Sequence, residues 1–254
     1  MRIEDLDPDR SRADYARAAL DDLDWLGIRW QEGPSINNPN RSGPYAPYAQ
    51  SHRQSVYLAA WRALLDGDHI YPCRCSRKDL EAALSAPHEG SRTADPLDDE
   101  PVYPGTCRSS QAAIQTDSPN GVNWRFRVPD GEAIEFEDGN LGHQCFIAGR
   151  DFGDFVVWRR DGVPSYQLAC VADDSAMRIT EVVRGEDLLK STARQILLNR
   201  ALGYRNPDWF HCCLVVDAYG HRLAKRYDAL SIRILRQRGI SPEQILKDDL
   251  PAGE

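Results

Sequence analysis

Apolar and polar positions divide the chain into helical stretches at both ends and a strand-rich middle. Asp7-Pro8-Asp9 predicts a helix start, because proline suits the first turn and the acids complement the helix dipole. Tyr15, Ala19, Leu23 and Leu26 then recur on one face until Gly27. Residues 37–48 are rich in Pro, Asn and Tyr and predict a loop; helical spacing returns over 55–65 and stops at Gly67. Period-two alternation predicts strands at 124–128, 133–136 and 155–158, with Asp161-Gly162 as a hairpin turn between Trp158 and Tyr166. Residues 179–183 predict a short buried strand, 192–202 a helix ended by Gly203, and 214–216 another strand. Two helices close the sequence, the last announced by Ser241-Pro242 and Gln244 in a capping-box arrangement.

Strands alternating with helices at both ends, interrupted by an antiparallel patch, predict an α/β protein with a parallel core and an inserted subdomain. The polar stretch 91–100 reads as an insertion within it. The first residues are unusual, since Arg2-Ile-Glu-Asp is strand-like where a terminus is normally polar and frayed.

Composition narrows the class. At 254 residues and 41% hydrophobic content the chain can bury an ordinary core. Neither a long apolar run nor a basic, then apolar, start is present in the sequence, so a cytoplasmic protein without membrane attachment is expected. Seven cysteines, an odd count, fit reduced thiols and a metal better than a disulfide framework. A net charge of −8 argues against non-specific nucleic-acid binding but leaves room for a local basic face.

Three segments carry candidate chemistry. Cys73-x-Cys75 and Cys107 offer three thiolates to one tetrahedral ion, with Tyr103 the nearest candidate for the fourth position; the same cysteines also read as small buried apolar residues. Gly220-His-Arg-Leu-Ala-Lys-Arg226 concentrates cations that can neutralise a departing polyphosphate, or simply form a solvated basic turn. Arg184 follows a buried-type strand, where parallel α/β folds present ligand-binding groups. It can pair bidentately with a carboxylate beside Tyr166, or form a structural ion pair with Glu181, Glu186 or Asp187.

In this order, Arg2-Ile-Glu-Asp, Tyr71-Pro-Cys-Arg-Cys-Ser-Arg77, Tyr103-x3-Cys107, the block 166–187 and Arg222-Leu-Ala-Lys-Arg226 resemble the catalytic half of glutamyl-tRNA synthetases, a class I aminoacyl-tRNA synthetase family. Within it they are most similar to the short paralogues that glutamylate the queuosine base of the tRNA(Asp) anticodon. About 28 residues follow Arg226, too few for an anticodon-binding domain. The resemblance implies a Rossmann-type core: 1–70 as the remainder of its first half, 71–150 as an inserted zinc-binding α+β subdomain, and 151–254 as the second half. It further implies ATP-dependent activation of glutamate, with Mg2+, and transfer to queuosine-containing tRNA(Asp) by a monomer. One structural zinc would be held by Cys73, Cys75, Tyr103 and Cys107. Glu4 would meet the amino group of glutamate, and Tyr166 with Arg184 its carboxylates. Arg222, Leu223, Ala224, Lys225 and Arg226 would form the KMSKS-like ATP loop, with Lys225 catalytic and Ala224 standing where the motif has serine.

The same pattern places a strand with Arg and Ser-Pro, and a HIGH helix start, before Arg2. On that basis roughly 35 to 40 residues are expected upstream of an internal Met, which translation of the preceding in-frame DNA tests. A glutamyl-tRNA synthetase fragment and a non-catalytic zinc-containing tRNA-binding remnant are the alternative readings. For tRNA, Arg222, Lys225, Arg226, Arg233, Arg236 and Arg238 are the candidate basic surface.

Overall fold

A computed structural model describes residues 1–7, 11–37, 43–76, 79, 102–109, 118–214 and 231–247. The chain forms two compact units, Met1–Arg53 with Leu214–Glu254, and Gln54–Cys213.

In the first unit the amino terminus is tied down by its backbone. Ile3 forms a parallel bridge with Ala49, its N–H donating to Tyr48 (2.8 Å) and its carbonyl accepting from Gln50 (3.0 Å). Asp5 accepts from the Ser51 backbone and hydroxyl at 2.9 and 2.7 Å. The strand-like character of Arg2-Ile-Glu-Asp is therefore real, though limited to one bridge. Gly33, at φ +105°, is required by close approach, because a Cβ there would fall 2.0 Å from the Met1 carbonyl oxygen.

Helix α1 (Ala13–Trp25) begins after Arg12, later than the Asp7-Pro8-Asp9 signal, whose last two residues lie outside the described set. Its buried face matches the expected one at Leu26 but not at Tyr15 and Ala19, which are exposed, while Leu20 is buried. Two carboxylates of this helix pair with the carboxy-terminal helix labelled α5 below.

The second unit opens with α2 (Gln54–Asp66), which buries Tyr57, Ala60, Trp61 and Leu64 at helical spacing. Strands β1 (Ile70–Cys73), β2 (Asn123–Phe126) and β5 (Val156–Trp158) form an antiparallel sheet in the order β1-β2-β5. Trp61 meets Trp124 edge-on at 5.2 Å, and Trp158 lies 6.5 Å from Trp61, so three indoles fill the centre of this layer.

The other sheet is mixed. β3 (Ala133–Asp138) and β4 (Gly142–Ile147) pair antiparallel, while β6 (Glu181–Gly185) and β7 (Asp208–Cys212) run parallel to each other, and β3 runs parallel to β7. The order is β4-β3-β7-β6. β7 ends just before the strand expected at 214–216, of which Leu214 is irregular and the rest lies outside the described residues. The turn at Gly162 forms, with Arg159 and Val163 bonded at 2.8 Å, but its return arm ends in a single Trp158–Pro164 bridge. Tyr166 then opens helix α3 (Tyr166–Ala176), whose amino terminus is capped by Ser165.

Helix α4 (Leu189–Leu202) ends at Gly203 in the left-handed region, as its sequence predicts. Helices α5 (Ile232–Gln237) and α6 (Pro242–Leu246) belong to the first unit, and Ser241 with Gln244 makes the capping box. Arg236 pairs with Asp21 at 3.0 Å and Arg233 with Asp22 at 3.8 Å. These two arginines therefore pair with carboxylates of α1. Among the described residues no helix is long and apolar enough to cross a membrane.

Candidate functional site

Two clusters of polar side chains stand out in the second unit. The first is built where β1 ends. Cys73 closes that strand fully buried, Cys75 follows two residues on, and Cys107 comes from a turn in which Arg108 N–H bonds the Gly105 carbonyl at 2.8 Å. The three Sγ atoms lie within 4.8 Å of one another, Cys75 and Cys107 at 3.5 Å. The Tyr103 hydroxyl points into the triangle, 3.4 Å from Cys73 Sγ and 3.5 Å from Cys75 Sγ, and accepts the Cys107 N–H at 2.9 Å. A tetrahedron with Zn–S bonds of about 2.3 Å has S···S edges of about 3.8 Å, so the donor set has the size of a metal site.

The Tyr103 ring is fixed from behind. The Arg125 guanidinium sits 4.0 Å from its centroid and bonds the Asp154 carbonyl, and Gly153 packs so close to the Tyr103 backbone that a Cβ would lie 2.8 Å from its nitrogen. Burial, with hydrogen bonds to the three thiols, pushes the Tyr103 phenol well above its ordinary range. Burial likewise raises Cys75 to about 11. Burial also opposes ionisation of Cys107, but hydrogen bonds from Tyr103, the backbone at Arg74 and the neighbouring thiols overcome it and lower that thiol to about 7. A phenolate at Tyr103 needs a cation beside it. The reading as small buried apolar residues suits Cys73, enclosed beside Tyr71; Cys75 and Cys107 are only partly buried.

The second cluster lies at the carboxyl end of the parallel strands. Arg184 on β6 donates from Nε to His211 Nε2 (3.2 Å), from Nη1 to Gln195 Oε1 (2.9 Å) and from Nη2 to Thr192 Oγ1 (2.6 Å), with the Tyr166 hydroxyl 3.4 Å from Nη1. All four partners are neutral side chains or an imidazole, and no carboxylate pairs with Arg184 among the described residues. The expected alternative of an ion pair with Glu181, Glu186 or Asp187 is not formed.

Behind Arg184, His211 is fully enclosed and its Nδ1 lies 2.5 Å from Asp138 Oδ2. Asp138 Oδ1 accepts backbone N–H groups of Asn140, Leu141 and His211 at 3.1, 2.9 and 3.2 Å. Burial alone would raise the Asp138 carboxyl, but these bonds, foremost that of His211, hold it down at about 2.

Sequence reasoning did not single out His211, Asp138, Thr192 or Gln195. A signal existed for Asp138: in β3 the buried positions are Ile134, Phe136 and Asp138, so an acid occupies the inward phase of the alternation. His211 holds the matching inward phase of β7 beside Trp209.

The other expected site residues are placed elsewhere. Glu4 belongs to the first unit, where Arg2 pairs with it at 2.9 Å. Arg222, Leu223, Ala224, Lys225 and Arg226 lie outside the described residues.

Residues 1–248 match the family described as tRNA synthetases class I (E and Q), catalytic domain. A protein of Symbiobacterium thermophilum named glutamyl-Q tRNA(Asp) synthetase is 45% identical over 250 residues, covering 97% of this chain and 73% of its own. One of the same name from Nitratidesulfovibrio vulgaris is 42% identical over 248 residues, covering 96% and 72%. A crystal structure of a glutamate tRNA ligase from Elizabethkingia meningosepticum in complex with its amino acid superposes with a TM-score of 0.73 at 28% identity. That likeness covers 91% of this chain but 46% of the ligase, so the chain spans about half of the solved structure it matches. Its sequence match over nearly its whole length, together with the mixed α/β sheet and the arginine at the end of a parallel strand, places the chain in the family of class I tRNA synthetases (E and Q), catalytic domain.

Proposed function

We propose that the protein activates glutamate with ATP and transfers it to the queuosine base in the anticodon of tRNA(Asp). The observation that carries this reading is Arg184, a partly buried cation at a parallel strand end that pairs with no carboxylate among the described residues. Such a group favours a carboxylate ligand, and its planar fork suits two carboxylate oxygens. Tyr166 stands beside it to wall the site and contribute its hydroxyl. The names of the two bacterial relatives above support glutamate and tRNA(Asp) as substrates.

In this reading Glu4 receives the glutamate amino group, and a carboxylate oxygen of glutamate attacks the α-phosphorus of ATP, releasing pyrophosphate. Lys225, within the loop Arg222-Leu-Ala-Lys-Arg226, supplies positive charge as the pyrophosphate departs, with Mg2+ on the phosphates. Stretches 1–70 and 151–254 form the two Rossmann halves around an inserted segment, 71–150. Cys73, Cys75, Tyr103 and Cys107 hold one zinc there, and a site filled by four protein ligands is structural. The ion would staple the end of β1 to the turn that carries Cys107.

Glutamate-dependent exchange between pyrophosphate and ATP by the full-length protein tests activation. Labelled glutamate offered with queuosine-containing tRNA(Asp) and with tRNA(Glu) tests transfer. Exchange together with labelling of the first tRNA is expected. Labelling of tRNA(Glu) at its 3′ end alone would overturn the acceptor assignment, and absence of exchange by the folded protein would favour a non-catalytic remnant.

A further inference from the structure

The tautomer of His211 follows from its neighbours. The Arg184 Nε–H can only donate, so His211 Nε2, 3.2 Å away, is the accepting nitrogen and carries no proton. The ring proton is therefore on Nδ1, directed at Asp138 Oδ2 at 2.5 Å. Asp138 cannot turn away, because its other oxygen is held by backbone N–H groups of Asn140, Leu141 and His211. Thr192 closes the loop: its Oγ1 accepts an Nη2 proton at 2.6 Å and lies 3.2 Å from His211 Nε2.

This arrangement decides which donors Arg184 has left. Of the five N–H bonds on a guanidinium, three go to His211, Thr192 and Gln195. The second N–H on Nη1 makes only the long bond to the Tyr166 hydroxyl, at 3.4 Å, and one on Nη2 has no partner among the described residues, so these two are the donors a ligand can take. Two donors on neighbouring nitrogens match two carboxylate oxygens, whereas an amide presents one oxygen and one competing donor.

We propose that His211, set in its Nδ1–H tautomer by Asp138, is a positioning residue that fixes the Arg184 guanidinium so that its outer Nη1 and Nη2 N–H bonds select a carboxylate over an amide. The inference rests on Arg184 as the glutamate site and adds how selectivity against glutamine is achieved.

Asp138→Asn reverses the geometry without changing shape. The Asn oxygen is retained by the backbone donors, its NH2 faces Nδ1, the ring proton moves to Nε2, and two N–H groups then oppose each other at Arg184. For this variant the KM for glutamate is expected to rise about ten- to a hundredfold, with the KM for ATP unchanged and discrimination against glutamine reduced. His211→Gln, which keeps an acceptor near the Nε2 position, should recover most of the loss, and His211→Leu should not. Nitrogen-15 imidazole spectra of the full-length protein should show Nδ1 protonated and Nε2 bare, and the reverse in Asp138→Asn.

A wild-type Nε2–H tautomer overturns the proposal. So does an unaltered glutamate KM and selectivity in folded Asp138→Asn and His211→Leu proteins. Because the spectra need no substrate, a correct tautomer with no glutamate-dependent exchange in the wild type would refute the glutamate reading, and with it the selectivity role, while leaving the geometry intact.

Discussion

Among the described residues no carboxylate pairs with Arg184, and Asp138 lies one residue further back, behind His211. Replacing the guanidinium with an ammonium, Arg184→Lys, keeps the charge but loses the fork and the bonds to Thr192 and Gln195. Glutamate should bind about ten- to a hundredfold more weakly, read as KM in the exchange assay with ATP held saturating. Asp138 also has a signature in stability. Its folded carboxyl titrates at about 2 instead of the ordinary 3.8, so its contribution is present above pH 3.8 and is lost as pH falls through 2. Denaturant unfolding at a series of acid pH values should show about 2 kcal/mol of this loss in the wild type, absent from Asp138→Asn. The residues legible in the sequence were those with a spacing or a strand-end position to mark them, namely Arg184 and the three clustered cysteines. Asp138 and His211 escaped because a polar residue in a short strand reads as solvent-facing until the alternation around it has been assigned a buried side.

Among elements, those with chemical punctuation were the easiest to foresee. Gly203 ends α4 in the left-handed region and Ser241 with Gln244 starts α6, since each signal is local. The face of α1 was read correctly at Leu26 but not at Ala19, because Ala19 and Leu20 are adjacent on the helix and only tertiary packing chooses between them. Pairing of β3 with β7 was not legible at all, for parallel partners distant in sequence carry no turn to announce them. The staple between β1 and the Cys107 turn gives the prediction at this scale. On the zinc reading, Cys75→Ala should lower bound zinc, measured by elemental analysis of purified protein, and chelation of the wild type should lower its Tm toward that of the variant. Equal metal content in the two proteins would remove zinc from the account.

Over the whole molecule, the acidic balance of −8 leaves little for electrostatic capture of RNA, and two of the arginines expected on a basic surface pair with α1. The two units differ in continuity: Gln54–Cys213 is one uninterrupted stretch, whereas Met1–Arg53 shares its unit with Leu214–Glu254. Expressed separately, 54–213 should unfold cooperatively in urea, and 1–53 should show no cooperative transition, because the ion pairs of Asp21 and Asp22 are made by residues it lacks.

That discontinuity has a consequence for synthesis on the ribosome. Met1–Arg53 is synthesised well before Leu214–Glu254, the stretch with which it forms a compact unit, so Asp21 and Asp22 of α1 must wait for Arg236 and Arg233 while the intervening stretch is made. At elongation rates of about 5–20 residues per second the interval is on the order of ten seconds, long enough for a chaperone to engage a nascent chain.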